Sequence, residues 1–110
     1  LAYTKQLAIN NSAYTVPFIP EGYKSAWAQY SILSDQREKT QMELKGAGIP
    51  TAIYYPKPLH LQTAFTTLGY TEGDLEVSKS VSRKIFSLPM HPYLREEDCI
   101  LIEKVLKRFP

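Results

Sequence analysis

Residues 46–65 read GAGIPTAIYYPKPLHLQTAF, and within them the backbone must change character three times. Gly46 and Gly48 are natural stops for a preceding helix, because glycine reaches the left-handed conformation that closes a helix without a Cβ clash. Thr51 to Tyr55 then reads as a short strand of β-branched and aromatic residues. Pro56 and Pro58 end it, since proline fixes φ and offers no N–H to a ladder. Leu61, Ala64, Phe65 and Leu68 follow at i, i+3, i+4 and i+7, the spacing of a one-sided helix that Gly69 closes. A helix, a strand and a helix in so short a space point to a mixed α and β domain.

Working towards the N-terminus, Asp35 stands three residues before Glu38, a capping-box spacing that starts the helix stopped by Gly46. That helix carries a thin apolar face, mainly Met42 and Leu44, and is expected at the surface. Before it, KSAWAQYSIL (24–33) has no breaker and reads as a strand. Ala26, Ala28, Tyr30 and Ile32 share one face, with Trp27, Gln29, Ser31 and Leu33 on the other. Pro17, Pro20 and Gly22 keep the preceding stretch extended or turning. Residues 1–11 (LAYTKQLAINN) read as the end of a helix stopped by Asn10 and Asn11.

Towards the C-terminus, Asp74 is a good N-cap, and Val77, Val81 and Ile85 form one stripe of the helix it opens. FSLPMHPYL (86–94) is a short extended segment pinned by Pro89 and Pro92. The last helix opens with Glu96, Glu97 and Asp98 and closes with Lys104, Lys107 and Arg108, an order that complements its dipole. Its broad apolar face of Ile100, Leu101, Ile102, Val105, Leu106 and Phe109 is expected to be buried.

Composition excludes several function classes. At 110 residues, 44% hydrophobic and 22% charged, the chain makes one domain, 1–110, with a core of its own. A surplus of only +2 charges, scattered along the chain, argues against a nucleic-acid partner. The single cysteine, Cys99, excludes an internal disulfide and any multi-cysteine zinc site, and agrees with a reducing, cytoplasmic location. Within the last helix it reads as a buried structural thiol. No apolar run approaches the ~18 residues of a membrane span, so no membrane partner is expected. The first residue is Leu1 and not Met, which suggests a piece of a longer chain.

Chemistry-bearing residues are few. The five glycines are isolated, so no phosphate loop is present. His60 and His91 have no Cys or carboxylate at metal-ligand spacing, and no metal site is expected. His91, between prolines, and the aromatic pair Trp27 and Tyr30 read as structural, and Arg37, Glu38 and Lys39 as a solvated helix face. The densest polar-aromatic cluster is Tyr54, Tyr55, His60 and Gln62 around two prolines. Either these are ordinary surface residues at a strand end, or they form a rigid hydrogen-bonding rim for a polar ligand. If extended, the adjacent tyrosines point to opposite faces.

The order AWAQYSIL (26–33), DQRE (35–38), GAGIPTAIYYPKPLHLQTAF (46–65), LGYTEGD (68–74) and SLPMHPYL (87–94) resembles the C-terminal part of the DegT/DnrJ/StrS sugar aminotransferases. The likeness runs from about Val16 to Phe109, and its wording is most similar to members that aminate UDP-linked 2-acetamido-3-keto uronic acids. The resemblance implies the small C-terminal α/β (α+β) domain of the aspartate-aminotransferase, fold type I superfamily: a small, mainly antiparallel sheet packed with helices. Residues 1–15 would then end the connecting helix from an absent large domain. In the family that domain carries the lysine that bonds pyridoxal phosphate, and no lysine here sits in the family's Ser-x-x-x-x-Lys segment followed by glycines. No catalytic residue is therefore expected, nor cofactor bound to this piece alone, and the piece is expected to be inactive.

The resemblance further implies a homodimeric parent that moves an amino group from glutamate to a nucleotide-linked keto sugar in surface polysaccharide synthesis. The sugar-nucleotide pocket of the family uses the segment matching TAIYYPKPLH, which assigns substrate binding to Tyr54, Tyr55 and His60. Tyr54 departs from the family's usual histidine; it keeps a donor and an acceptor but loses a group that titrates near neutral pH. The alternative is a stand-alone α/β module that binds a ligand or regulates.

Overall fold

The computed structural model describes residues 13–108. The helix end expected over 1–11 and the Phe109 position lie outside them. Three antiparallel strands form a sheet in the order β1 (Tyr14–Thr15), β2 (Tyr30–Ser34), β3 (Ile85–Leu88). The register pairs Tyr30 with Leu88 and Ile32 with Phe86, and all four side chains are buried. Around the sheet stand α1 (Arg37–Gly46), α2 (Glu76–Lys84) and α3 (Glu96–Lys107), with two 3-10 turns, Leu59–Leu61 and Thr63–Leu68, between α1 and α2. The small antiparallel sheet with packed helices is the α+β architecture expected.

The core joins Tyr30, Ile32, Phe86 and Leu88 of the sheet to Leu44 of α1 and to Cys99, Ile102, Val105 and Leu106 of α3. Cys99 is a buried thiol, as its place in the apolar run implies. Tyr14 ties β1 to the same helix: its hydroxyl donates to the Leu106 carbonyl at 3.0 Å, one of the C-terminal acceptors that a helix leaves unpaired. Burial pushes the Tyr14 phenol above its ordinary 10.0, partly offset by a hydrogen bond with Thr40.

Several expectations need correction, each for a local reason. The strand reading over 24–33 holds only from Tyr30. Ser25 Oγ accepts the Trp27 N–H at 3.1 Å and Trp27 sits at φ 51, so the chain turns there before it extends. Trp27 nonetheless packs on the core, its ring 5.2 Å from that of Tyr30. The TAIYY strand shrinks to one bridge between Ala52 and Ser87, because Pro50 and Pro56 flank it with residues that cannot donate.

The expected helix over Leu61 to Leu68 is instead a pair of 3-10 turns broken at Gln62, which is extended at ψ 146. Thr66 Oγ1 bonds the Thr63 carbonyl at 3.0 Å, the local competition by which threonine weakens an α-helix. Gly69 closes the segment at φ 82, in the left-handed conformation anticipated for it.

Neither expected cap forms. Asp35 pairs with Lys84 at 2.8 Å, and Gln36 heads α1 without a side-chain cap. Asp74 turns back to Thr71, accepting its N–H at 2.7 Å, and Leu75 heads α2 at φ 50. Val77 is 78% exposed, so the Val77–Val81–Ile85 stripe does not pack as one face, and Ile85 belongs to β3.

Arg37 is no solvated residue. It is buried, and its guanidinium donates to the carbonyls of Ser82 at 2.6 Å and Ile85 at 3.3 Å, which locks α1 to the junction of α2 and β3. With Thr40 and Leu44 it forms the buried face of α1, while Met42 stays exposed. In α3 the apolar face is narrower than expected, since Leu101 is 53% exposed. Asp98 accepts the Arg95 N–H at 3.1 Å and pairs with its guanidinium, which holds the Asp98 carboxyl below its ordinary range.

Candidate functional site

The bridge between Ala52 and Ser87 brings the GIPTAIYY segment onto the outer edge of β3, and a cleft opens where the two meet. Ala52 N–H donates to the Ser87 carbonyl at 3.2 Å and Ser87 N–H to the Ala52 carbonyl at 2.7 Å. The cleft measures about 230 Å³ and is walled by Pro50, Leu88, Pro89 and Met90, with Ala28 and Gln29 closing one side. Its remaining polar residues are Thr51, Tyr54 and Ser87. Thr51 Oγ1 accepts from Gln41 Nε2 at 3.0 Å, and the Ser87 and Ser31 hydroxyls meet at 2.7 Å. Prolines on both sides keep the walls stiff, which suits a site that must hold a ligand in one orientation.

Of the sequence-selected residues, Tyr54 lines this cleft. Tyr55 follows it across a cis peptide, with the two rings edge-on at 5.8 Å, and is 70% exposed. The two rings therefore stand side by side and not on opposite faces.

His60 is carried elsewhere by the turn after Pro58. It is 8% exposed, its Nε2 lies 3.1 Å from the Asp74 carbonyl, and its ring meets Tyr70 edge-on at 5.7 Å. It lines a second, mostly apolar cleft of about 260 Å³ with Leu59, Phe65, Leu68, Tyr70 and Leu75. The structure thus joins Tyr54 to Tyr55 and places His60 in the neighbouring cleft.

Gln29, Thr51 and Met90 were missed as cleft residues by sequence reasoning. By sequence Gln29 shares a strand face with Trp27, and Met90 sits in a short extended segment between Pro89 and Pro92. Only the pairing of Ala52 with Ser87 makes them neighbours, and a single bridge leaves no periodic trace in a sequence. Among the described residues, no group of three His, Cys, Asp or Glu could hold a metal ion. No helix among them is long and apolar enough to cross a membrane.

Comparison with known proteins gives this geometry its context. The chain is 40% identical over 88 residues to the UDP-2-acetamido-2-deoxy-3-oxo-D-glucuronate aminotransferase of Pseudomonas aeruginosa, covering 80% of this chain and 24% of that protein. It is 42% identical over 86 residues to a pleiotropic regulatory protein of Geobacillus stearothermophilus, covering 77% and 23%. The crystal structure of a DegT DnrJ EryC1 StrS aminotransferase from Brucella abortus superposes with a TM-score of 0.85 at 47% identity, over 97% of this chain and 28% of that one. The chain thus spans about a quarter of the length of the relatives it matches. The sequence model of the DegT/DnrJ/EryC1/StrS aminotransferase family matches residues 1–107, and the chain belongs to that family.

Proposed function

We propose that this chain is the small domain of a sugar aminotransferase that transfers an amino group from glutamate to a nucleotide-linked keto sugar. Its role there is to close over the reaction centre and hold the sugar, and the sugar product would serve surface polysaccharide synthesis. The observation that carries this reading is the proline-walled cleft lined by Tyr54, with Tyr55 exposed next to it, in a chain whose relatives include a named 3-keto-sugar aminotransferase. At about 230 Å³ the cleft is smaller than the ~300–1,000 Å³ of a complete small-molecule site, which suits one sugar ring and leaves the nucleotide outside.

The family works with pyridoxal phosphate, which supplies an electron sink for amino-group transfer. This chain's described residues do not fit that cofactor by themselves. Lys79 spans Glu72 and Glu76, Lys84 pairs with Asp35, Lys107 pairs with Glu103, and no lysine lines the Tyr54 cleft. The reading therefore gives them positioning work: Tyr54 and Tyr55 offer phenol groups to the sugar, and the prolines hold both tyrosines still. The parent is proposed as a cytoplasmic homodimer, with this piece inactive alone. A regulatory module is the second reading, favoured by the name of the Geobacillus relative.

The test uses the full-length protein that contains this chain, with its two half-reactions followed separately. Tyr55→Phe removes one hydroxyl and keeps the ring. KM for the sugar nucleotide is expected to rise several-fold with kcat little changed, and the glutamate half-reaction to stay at the wild-type rate. Unchanged sugar-nucleotide binding in Tyr55→Phe would make this segment structural.

A further inference from the structure

Gln29 lines the same cleft as Tyr54. The side chain is exposed and forms no hydrogen bond with another described residue. The other polar groups of the cleft are engaged: Thr51 Oγ1 by Gln41, and Ser87 Oγ by Ser31. Gln29 and Tyr54 are the polar side chains there that make no hydrogen bond with another described residue, whereas the Thr51 and Ser87 hydroxyls already make one each. Their supports differ. Gln29 is held by its neighbour Tyr30, which is fully buried and paired with Leu88.

The two groups also differ in what they can read. A phenol pairs with any hydroxyl, whereas a carboxamide presents a donor and an acceptor side by side, the complement of another amide. The same cleft has an apolar lining that includes Ala28, Pro89 and Met90. An amide partner flanked by small apolar surface is the match for an acetamido group, with its N–H, its C=O and its methyl.

Resting on the sugar-nucleotide reading above, we propose that Gln29 is a specificity residue that selects a sugar carrying an acetamido substituent. The carboxamide pairs with the acetamido amide, and the methyl lies against Ala28, Pro89 and Met90. A sugar with a hydroxyl in that position leaves the pairing incomplete, and incomplete polar pairing is what gives a site its discrimination.

The test titrates the full-length protein with UDP-N-acetylglucosamine and with UDP-glucose by calorimetry. Wild type is expected to prefer the acetamido probe. Gln29→Ala should weaken that probe by about 5–10-fold, the range of one or two neutral hydrogen bonds. It should weaken UDP-glucose by less, so the preference narrows. Because Gln29 is exposed and unbonded, the thermal midpoint should not move. Tyr54→Phe is the control for the cleft and should weaken both probes alike.

If Tyr54→Phe weakens both probes while Gln29→Ala changes neither, or changes both equally, the Gln29 proposal falls and the cleft reading stands. If neither substitution alters either titration, the cleft reading falls and takes the proposal with it. Equal wild-type affinity for the two probes also overturns the assignment.

Discussion

The sheet with α3 and the segment from Ile53 to Ser78 are built on opposite terms. In the first, Tyr30, Ile32, Phe86 and Leu106 are fully buried, and strand register and helix face converge on one core. In the second, Tyr54, Tyr55, Leu59, Leu68, Tyr70, Leu75 and Val77 are all exposed, and the backbone is held by short turns. The 3-10 turns bond only three residues back, and Asp74 bonds Thr71. A region held by local bonds can present large side chains outward without losing its shape. The candidate site sits on the seam: Tyr54 comes from the locally held segment, while Leu88, Pro89 and Met90 come from the core strand and its extension.

The sharpest way to break this contrast is to truncate one leucine in each region. Leu106→Ala should cost roughly 2–5 kcal/mol, because a fully buried side chain leaves a cavity that its neighbours fill only in part. Leu68→Ala and Leu101→Ala should each stay near 0.5 kcal/mol or below, as for other exposed positions. Denaturant midpoints at constant slope read all three. Equal losses at Leu106 and Leu68 would show that the outer segment is as firmly packed as the core.

A smaller effect is expected where a polar side chain joins the elements. Arg37→Ala removes the donors to the Ser82 and Ile85 carbonyls, and hydrogen bonds from a charged donor are worth about 1.5–3 kcal/mol. Chemical denaturation should show that loss, and hydrogen exchange should show it concentrated at the junction of α2 and β3. A loss spread evenly over the molecule would mean that Arg37 does not join α1 to that junction.

A smaller effect than that of Arg37 belongs to Tyr14→Phe. Losing the bond to the Leu106 carbonyl should cost about 0.5–1.5 kcal/mol. Its pH dependence sharpens the comparison. The folded chain holds the Tyr14 proton more tightly than the unfolded chain, because burial raises the phenol above 10.0. The associated stability is therefore complete below pH 10 and is lost as pH rises through the folded value. Above pH 10 the wild type should lose stability more steeply than Tyr14→Phe, and parallel curves would contradict the assignment.

Much of this was legible in the residues themselves. Gly48 and Gly69 marked segment ends, at φ 78 and 82, because the left-handed conformation is cheap for glycine. The acidic opening and basic close of Glu96–Lys107 marked a helix because charges there answer its dipole. The alternation of Tyr30 and Ile32 marked the buried face of β2 because a strand repeats every two residues. Asp35 and Asp74 misled because a carboxylate with cap spacing takes whichever donor folding brings nearest. For Asp35 that was Lys84, and for Asp74 the Thr71 backbone.

Local sequence alone thus determined the extent of the last helix, which family motifs stand in order, and that Tyr54 and Tyr55 would lie between fixed prolines. Tertiary structure alone decided that Arg37 is buried, that Gln29 and Met90 line one cleft with Tyr54, and that His60 lines a separate cleft. The reason is physical. Propensity, capping and proline geometry act within a few residues. The Ala52–Ser87 bridge and the Arg37 bonds join positions 35 and 45–48 residues apart, and only packing of the whole domain brings them together.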